Sequence, residues 1–563
     1  MFSPRLDMMQ PPRRLRALLA ALALLAGSAH ALEPIEERLR MRIEGLPEQA
    51  LVPGVHVATG GIFSTLYAAN GFHPLWTSRV SIDALVDLVE RAPEEGLLAR
   101  DYHAERLGEL LAELDGVPPE SDPRRVDLDL LLTDSLLRYV YHLRFGKVDP
   151  VSLDPRWNFR RDVHGEATLA KLVAAFGAED LAGYLAAVVP RTPHYLRLKD
   201  ALARYRAIDA GGGWAPVTPG PTLERGAKGE RVRGLRRRLA TSGELPAEDA
   251  AAGDEFDEAL ELAVAKFQQR HGLVPDGLAG PATIAALSVP VQARIDQLRV
   301  NMERARWIVQ DVSDDYLTVN IATAETRLVR GGRTVWFARV VIGQPYRKTP
   351  VFKSKITYLV FNPTWTVPPT ILREDLLPSL KTEPGRLDAL GMTVLDDTGK
   401  VIDPATIDWP RLDVRAFPYQ IRQAPGARNP LGRVKFMLPN PYFVYLHDTP
   451  DKRLFKRAER SFSSGCIRVE DAVELARLLL DDPVQWSGEA VERAIADGNT
   501  RTVFLRDPLP VLVLYMTADA MWGDEVRFVS DVYGRDANVL RALNGPFVFS
   551  PPKGFTELLA PAW

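Results

Sequence analysis

Apolar positions in the first two hundred residues recur at spacings of three and four. Two clear stretches are Ile82 to Val89 and Leu128 to Leu143. This period places the apolar side chains on one face of a helix, where they can be buried together. The pattern predicts a mostly helical scaffold domain over residues 32–208.

A run of glycine and proline follows and interrupts regular structure. A linker is predicted over residues 209–221, which contain the run Gly211-Gly212-Gly213, because neither glycine nor proline sustains a helix or a strand. Apolar positions at helical spacing resume in a short module over residues 222–290, where Val232, Leu235 and Leu239 lie on one helical face. A connecting helix is predicted over 291–310, where one stripe carries the apolar residues Val291, Ile295, Leu298, Met302 and Ala305.

The period changes to that of strands after residue 310. Strands are predicted at Tyr316 to Ile321, Arg327 to Arg330, Val335 to Ile342, Lys355 to Phe361, Arg433 to Met437 and Tyr442 to Leu446. Gly331-Gly332 predicts a hairpin turn, and one helix is predicted at Ala472 to Leu480. The expected fold class is therefore multidomain α+β, with a mainly-β domain over 311–545 and a tail over 546–563.

Composition limits the function. A chain of 563 residues exceeds the size of one core and predicts three to four domains. The apolar share of 46% and charged share of 25% are typical of globular domains. A net charge of −3 gives no electrostatic footprint for nucleic acid, so no nucleic-acid partner is expected.

The N-terminus carries an export signal. A positive stretch at Arg13 to Arg16 precedes an apolar stretch, Ala17 to Ala26, and a small-x-small pattern ends at Ala31. These features predict a signal peptide over residues 1–31 and a periplasmic location. An uncleaved N-terminal anchor is the alternative.

The single cysteine then becomes informative. Cys466 cannot form an intramolecular disulfide, and a lone thiol in an oxidising compartment suggests either a function or burial as a small hydrophobe. Residues 291–563 contain one histidine, His447, which lies 19 positions before the cysteine. A cysteine nucleophile requires a base within hydrogen-bond reach, and neutral imidazole is the usual one. We therefore predict Cys466 as nucleophile and His447 as base.

The neighbours of the cysteine suit this chemistry. Gly465 permits unusual torsions, and its amide, with that of Cys466, can point at a developing oxyanion. Ser463 and Ser464 either orient His447 or are turn residues. Arg468 binds either a substrate carboxylate or a local backbone carbonyl. The six histidines in residues 32–208 lack metal-ligand spacing, so no metal site is expected there. No other cofactor is expected.

Two regions resemble known families. His447 followed by Ser-x-Gly-Cys-Ile-Arg, together with residues 362–369, 423–426 and 429–436, resembles the L,D-transpeptidase catalytic domain, or YkuD domain. Residues 221–289 resemble peptidoglycan-binding domain 1, which implies a small three-helix module. The whole layout is similar to the large periplasmic YcbB-like branch, in which residues 367–419 correspond to a capping insertion. One departure is Ser464, where many members of the family carry histidine.

The resemblance implies a reaction. Cys466 would attack the diaminopimelate carbonyl of a tetrapeptide stem, release D-Ala and transfer the acyl group to a second diaminopimelate, which forms a 3→3 cross-link. Trp365 and Tyr445 would line the substrate site or belong to the core. The alternatives are an L,D-carboxypeptidase, a 3→3 endopeptidase, lipoprotein attachment, or a non-catalytic wall-binding scaffold. The implied partners are peptidoglycan stem peptides and, transiently, cell-wall synthesis enzymes.

Overall fold

The structure, a computed structural model, describes residues 34–47, 51–118, 122–155, 157–159, 181, 183, 188–308, 313–383, 385–412, 417–521, 523 and 525–549. The predicted signal peptide and tail residues 550–563 lie outside this part of the chain. No helix among the described residues is long and apolar enough to span a bilayer.

The N-terminal region is helical, as predicted. The two helices expected at Ile82 to Val89 and Leu128 to Leu143 both begin earlier and end later than the apolar pattern. The first begins where the Ser78 side chain accepts a hydrogen bond from the Ser81 amide at 3.4 Å, which caps its end. The helices of this region are Ile35–Gly45, Phe63–Ala69, Arg79–Glu90, Ala104–Glu113, Arg124–Phe145, Pro150–Leu153 and Pro193–Ala210.

The small module has its own hydrophobic core. Its helices are Glu230–Ser242, Glu258–Arg270 and Pro281–Leu287, which confirms the predicted three-helix arrangement. Val232, Leu235 and Leu239 are fully buried against Phe256 and other apolar side chains. The apolar spacing in the sequence thus identified the face that packs.

The connecting helix is Val291–Ile308, and it lies inside the molecule rather than on its surface. It packs on the helix Pro193–Ala210, and its apolar side chains join the core of the β domain. Arg306 is buried on it and is paired with Glu303 at 3.0 Å, while it donates to the Tyr195 hydroxyl at 2.7 Å. These contacts pair the two terminal nitrogens of the guanidinium, which reduces the cost of burying its charge.

The strands of the β domain, in chain order, are β1 Tyr316–Asn320, β2 Glu325–Arg330, β3 Arg333–Gly343, β4 Phe352–Phe361, β5 Trp365–Thr366, β6 Met392–Leu395, β7 Val401–Ile402, β8 Gln420–Gln423, β9 Val434–Met437, β10 Leu446–His447, β11 Ser461–Ser463, β12 Ile467–Val469, β13 Arg501–Leu514, β14 Ala518–Asp519 and β15 Arg527–Phe528. Nine of them form one sheet in the order β11-β3-β12-β10-β9-β4-β13-β1-β2. Because β3 also pairs with β2, the sheet closes on itself through this one long strand.

The hairpin between β2 and β3 turns at the predicted glycines. Gly331 and Gly332 have φ of 53° and 72°, which is the left-handed region that two-residue hairpin turns of type I′ require. The chain returns antiparallel, with Arg330 opposite Arg333.

A separate layer is inserted between β4 and β9. It consists of a four-stranded sheet in the order β5-β8-β6-β7 and short helices, and it buries its own apolar cluster around Leu377 and Trp409. The predicted capping insertion, 367–419, falls within it. Its helical segments are Pro369–Ile371, the π-helical turn Leu372–Leu376, Leu377–Leu380 and Arg386–Leu390.

Two predictions for the β domain were wrong. The strand predicted at Tyr442 to Leu446 is only Leu446–His447, because Phe443 has φ of 56° and breaks the extended run. The domain also contains helices besides Ala472–Leu480, namely Gly488–Ala496 and Asp536–Asn544. The helix Gly488–Ala496 is capped by Ser487, whose side chain accepts a hydrogen bond from the Ala490 amide at 3.3 Å. This serine is an N-cap signal in the sequence from which no helix was predicted.

Candidate active site

The predicted nucleophile and base come from neighbouring parallel strands. In the pairing of β10 with β12, Leu446 lies opposite Ile467 and His447 opposite Arg468. Leu446 and Ile467 are fully buried and face the core. Because side chains alternate along a strand, Tyr445, Cys466, His447 and Arg468 share the other face.

The imidazole of His447 has a fixed orientation. It is 4% exposed, and its Nδ1 lies 2.5 Å from the backbone carbonyl oxygen of Asp448. A carbonyl only accepts, so Nδ1 carries the hydrogen and Nε2 keeps the lone pair. Burial, aided by the nearby Arg468 charge, lowers the pKa of His447 to about 3, so the ring is neutral.

The thiol of Cys466 is also neutral. Its Sγ lies 3.8 Å from the carbonyl oxygen of Phe443, a contact at the long end of hydrogen bonding for sulfur. Burial raises the pKa of the Cys466 thiol, and this is opposed by Tyr445 and by the charges of Lys435 and Arg468.

Cys466 and His447 do not hydrogen-bond to each other in this arrangement. The described contacts of the thiol are with Phe443, Tyr445 and nearby cations, whereas the described hydrogen bond of the imidazole is with Asp448. The register of β10 and β12 therefore places the two side chains on one face of the sheet, on neighbouring strands.

The serines build the turn that presents the cysteine. The Ser463 hydroxyl donates to the Cys466 carbonyl at 2.5 Å and accepts from the Gly465 amide at 3.1 Å. Gly465 has φ of 117°, which only glycine adopts readily. The Gly465 amide is thus committed to the turn, and the expectation that it points at an oxyanion is wrong in this conformation.

Ser464 connects the turn to the inserted layer through Arg347, which was not predicted from the sequence. Arg347 donates to the Ser464 hydroxyl at 3.0 Å. The same guanidinium binds both oxygens of Asp375 at 2.6 and 2.8 Å and contacts Glu374 at 2.9 Å. Both acids lie on the π-helical turn, a conformation that is rare and often found at functional sites.

A second cation in the site was missed as well. Lys435 lies opposite His447 in the pairing of β9 with β10, and its Nζ is 3.8 Å from the centre of the Tyr445 ring. Burial lowers the pKa of Lys435. The signal was present in the sequence, because alternation along Arg433 to Met437 places Lys435 between two buried residues.

The aromatic residues predicted at the site meet there. Tyr445 interacts with the side chains of both Cys466 and Trp365, and burial raises the pKa of its hydroxyl. Trp365 belongs to the inserted layer, so this contact joins that layer to the sheet. Arg468 has a buried Nε without a hydrogen-bond partner in the described part of the chain.

Comparison with known proteins identifies the domain that holds this site. The profile of the L,D-transpeptidase catalytic domain, YkuD, matches residues 314–489, which include every predicted site residue. The chain carries an L,D-transpeptidase catalytic domain. Residues 228–287 match the profile described as "Putative peptidoglycan binding domain", and residues 62–202 match one described as "Scaffold domain".

Two curated relatives are similar to parts of this chain. A Haemophilus influenzae protein named "Putative L,D-transpeptidase" is 37% identical over 243 residues, which is 43% of this chain and 48% of the relative. The chain therefore spans about half of that relative. The zinc D-Ala-D-Ala carboxypeptidase of Streptomyces albus G is 45% identical over 62 residues, 11% of this chain and 24% of its own length.

Solved structures give weaker similarities. An L,D-transpeptidase from Xylanimonas cellulosilytica aligns with 53% of this chain and 98% of its own at 15% identity, with a TM-score of 0.17. The Ldtfm–avibactam carbamoyl enzyme aligns with 36% of this chain and 49% of its own at 14% identity, also with a TM-score of 0.17. The assignment rests on the sequence profiles and not on these alignments.

The L,D-transpeptidase match ends before the sheet is complete. Strand β13, Arg501–Leu514, lies beyond residue 489, yet it pairs with both β1 and β4 in the middle of the sheet. The folded catalytic domain therefore extends past the matched segment.

Proposed function

We propose that this chain is a peptidoglycan L,D-transpeptidase that forms 3→3 cross-links between diaminopimelate residues through a Cys466 thioester. The observation that carries the proposal is the grouping of Cys466, His447 and Arg468 on one face of two parallel strands within the L,D-transpeptidase catalytic domain. The neighbouring peptidoglycan-binding module supports the same substrate.

In the first half-reaction, the thiol proton moves to Nε2 of His447 and Sγ attacks the diaminopimelate carbonyl of a tetrapeptide donor. A carbon–sulfur bond forms and the carbonyl oxygen gains negative charge. With the Gly465 amide committed to Ser463, we assign the Cys466 amide to this oxyanion. The carbon–nitrogen bond then breaks, and D-Ala leaves with the proton that His447 returns.

In the second half-reaction, the side-chain amine of another diaminopimelate attacks the thioester. Its proton passes to His447, an amide bond forms, the carbon–sulfur bond breaks and the thiol is reprotonated. Water in place of the amine would give a tripeptide, which is the outcome of an L,D-carboxypeptidase. No metal is required for either step, because thiol and imidazole carry the proton and the acyl group.

The charges around the thiol favour its attacking form. Lys435 and Arg468 both act to lower the pKa of the Cys466 thiol, against the larger effect of burial. The same cations disfavour imidazolium at His447. They therefore stabilise the thiolate and make His447 a strong proton donor to the leaving amine.

Arg468 is the group we assign to a substrate carboxylate. Its buried Nε has no partner in the described part of the chain, so the alternative of a local backbone carbonyl does not apply to this nitrogen. An unpaired buried donor is costly, and a carboxylate of the stem peptide would satisfy it. Tyr445 and Trp365 would form the adjoining wall.

The cellular location that fits this substrate is the periplasm. The predicted signal peptide over 1–31 would export the chain to the compartment in which peptidoglycan is built, and transient contact with cell-wall synthesis enzymes would follow from that location. Retention of a lone thiol there is reasonable, because burial keeps it protonated and so slows its oxidation.

The test compares the parent chain with Cys466→Ala, with Arg506→Gln as an exposed control in the same domain. After incubation with a carbapenem, intact mass should show one covalent adduct on the parent and the control and none on Cys466→Ala. Chromatography of products from tetrapeptide muropeptides should show dimers. An adduct on Cys466→Ala would refute the nucleophile, and tripeptide monomers without dimers would refute transpeptidation.

A further inference from the structure

A large groove separates the three-helix module from the catalytic domain. Its volume is about 1220 Å³. One wall is the segment 266–275 of the module, and the other is formed by β2, β3 and the segment 456–461 of the catalytic domain. It is distinct from the thiol site, since none of the predicted catalytic residues lines it.

The groove is strongly basic. Among the described residues that line it, eight are lysine or arginine and three are glutamate. The whole chain has a net charge of −3, so this concentration of positive charge is local and not a property of the composition. A concave surface of one charge sign raises the local concentration of oppositely charged ligands.

Several of these cations are already paired within the protein. Arg527 binds Glu325 at 2.8 Å, and Arg339 binds Glu470 at 2.5 Å. Lys456 and Arg457 differ, because both are exposed and neither forms an ion pair in the described part of the chain. Arg457 instead lies 5.2 Å from the centre of the Phe462 ring. These two charges are available to a ligand.

The same segment leads directly to the nucleophile. Arg460 is fixed by donating to the carbonyl of Thr323 at 2.8 Å, and its own carbonyl accepts from the Ile342 amide at 2.9 Å. Strand β11 then begins at Ser461, which lines the groove, and ends at Ser463 in the cysteine turn. A ligand held in the groove therefore lies beside the backbone that carries Cys466.

We propose that this groove binds the carboxylate-bearing stem peptides of a peptidoglycan strand, an inference that rests on the proposed function. The carboxylates pair with Lys456 and Arg457, and the sugar rings lie along Phe337, whose ring is 46% exposed and is covered on one side by Arg327 at 4.8 Å. One peptidoglycan strand would thus lie in the groove and contact both the three-helix module and the catalytic domain.

The experiment measures sedimentation of the full chain with purified sacculi at low and high salt. Lys456→Gln/Arg457→Gln is compared with Arg411→Gln/Arg506→Gln, which removes the same charge from exposed positions outside the groove. We expect the groove variant to bind about threefold to tenfold more weakly at low salt, with the difference shrinking at high salt. The control should bind like the parent, and both should keep the parent's unfolding temperature.

Glycan strands released from sacculi by an amidase separate the ligand chemistries; because they are soluble, their binding is measured on immobilised full chain. They have lost the stem-peptide carboxylates and keep only the lactyl carboxylate of each muramic acid, so the parent and the groove variant should bind them equally. A defect that persists on stripped glycan, or an equal defect in the control, would overturn the proposal. This experiment measures binding and needs no catalysis. Absence of cross-linked muropeptide dimers, together with intact binding in the groove, would refute the proposed reaction but not the proposed binding site.

Discussion

Arg347 links the inserted layer to the cysteine turn, and its removal makes a measurable prediction. Its guanidinium holds Asp375 through two contacts and Glu374 through one, all from the π-helical turn, and it donates to Ser464 on the other side. The Arg347 side chain is 11% exposed, whereas those of Asp375 and Glu374 are 50% and 42% exposed. Arg347→Ala removes every one of these contacts.

The magnitude follows from the exposure of the acids. A half-exposed ion pair contributes up to about 1 kcal/mol, and two-point geometry places the Asp375 pair at the upper end. Adding the hydrogen bond from Arg347 to the Ser464 hydroxyl gives roughly 1.5 kcal/mol for holding the turn closed. Because about 1.4 kcal/mol is a factor of ten, Arg347→Ala should raise the open population of this segment roughly tenfold.

Hydrogen exchange of backbone amides measures that opening directly. The Leu372 amide, which donates to Pro368 at 2.8 Å, and its neighbours up to residue 380 should lose roughly tenfold in protection, while amides of β1 stay unchanged. Arg373→Ala is the matched control, because among the described residues Arg373 forms its ion pair with Glu374 alone, at 3.0 Å, and it is 55% exposed. A change under threefold in Arg347→Ala, or an equal change in the control, would refute the reasoning.

Two further predictions concern charge. Lys435→Met should raise the midpoint pH of Cys466 alkylation by iodoacetamide, whereas Lys435→Arg should keep it, because the cation lowers the pKa of the thiol. An unmoved midpoint in Lys435→Met would contradict this. Burial lowers the pKa of His194 to about 4. Between pH 6.5 and 4, this histidine is therefore protonated in the unfolded chain and neutral in the native chain. Stability should therefore fall from pH 6.5 towards 4, by up to about 1.4 kcal/mol per unit from this group, and His194→Phe should flatten the slope measured by chemical unfolding.

The sequence predicted the elements that local pattern controls. The period of apolar residues marked the helices of the module, and the glycine pair marked the β2–β3 hairpin, because each depends on neighbours in the chain. The strand predicted at Tyr442 to Leu446 failed for a reason that pattern cannot carry. Phe443 is a residue type common in strands. The Asn440 side chain, however, accepts hydrogen bonds from the amides of Tyr442 and Val444 and so stabilises a turn in which Phe443 has positive φ and is 85% exposed.

The reacting groups of the candidate site could be proposed from the sequence because one motif contains them: Cys466, His447 and the serine turn lie within 25 residues. Arg347 and Lys435 come from other parts of the chain, and it is the pairing of β9 with β10 and the packing of the inserted layer that bring them in. Their roles depend on which strand adjoins which, and that order is not readable from local pattern.

The pKa shifts of the proposed nucleophile and base have the same largest cause, burial, and this connects the proposed chemistry to the inserted layer. Burial raises the pKa of the Cys466 thiol and lowers that of the His447 imidazole, so both rest neutral. Any movement that admits water must shift the two values towards each other, because hydration favours both charged forms. The layer that reaches Tyr445 through Trp365 and Ser464 through Arg347 is thus placed to control how readily the proton moves from sulfur to nitrogen.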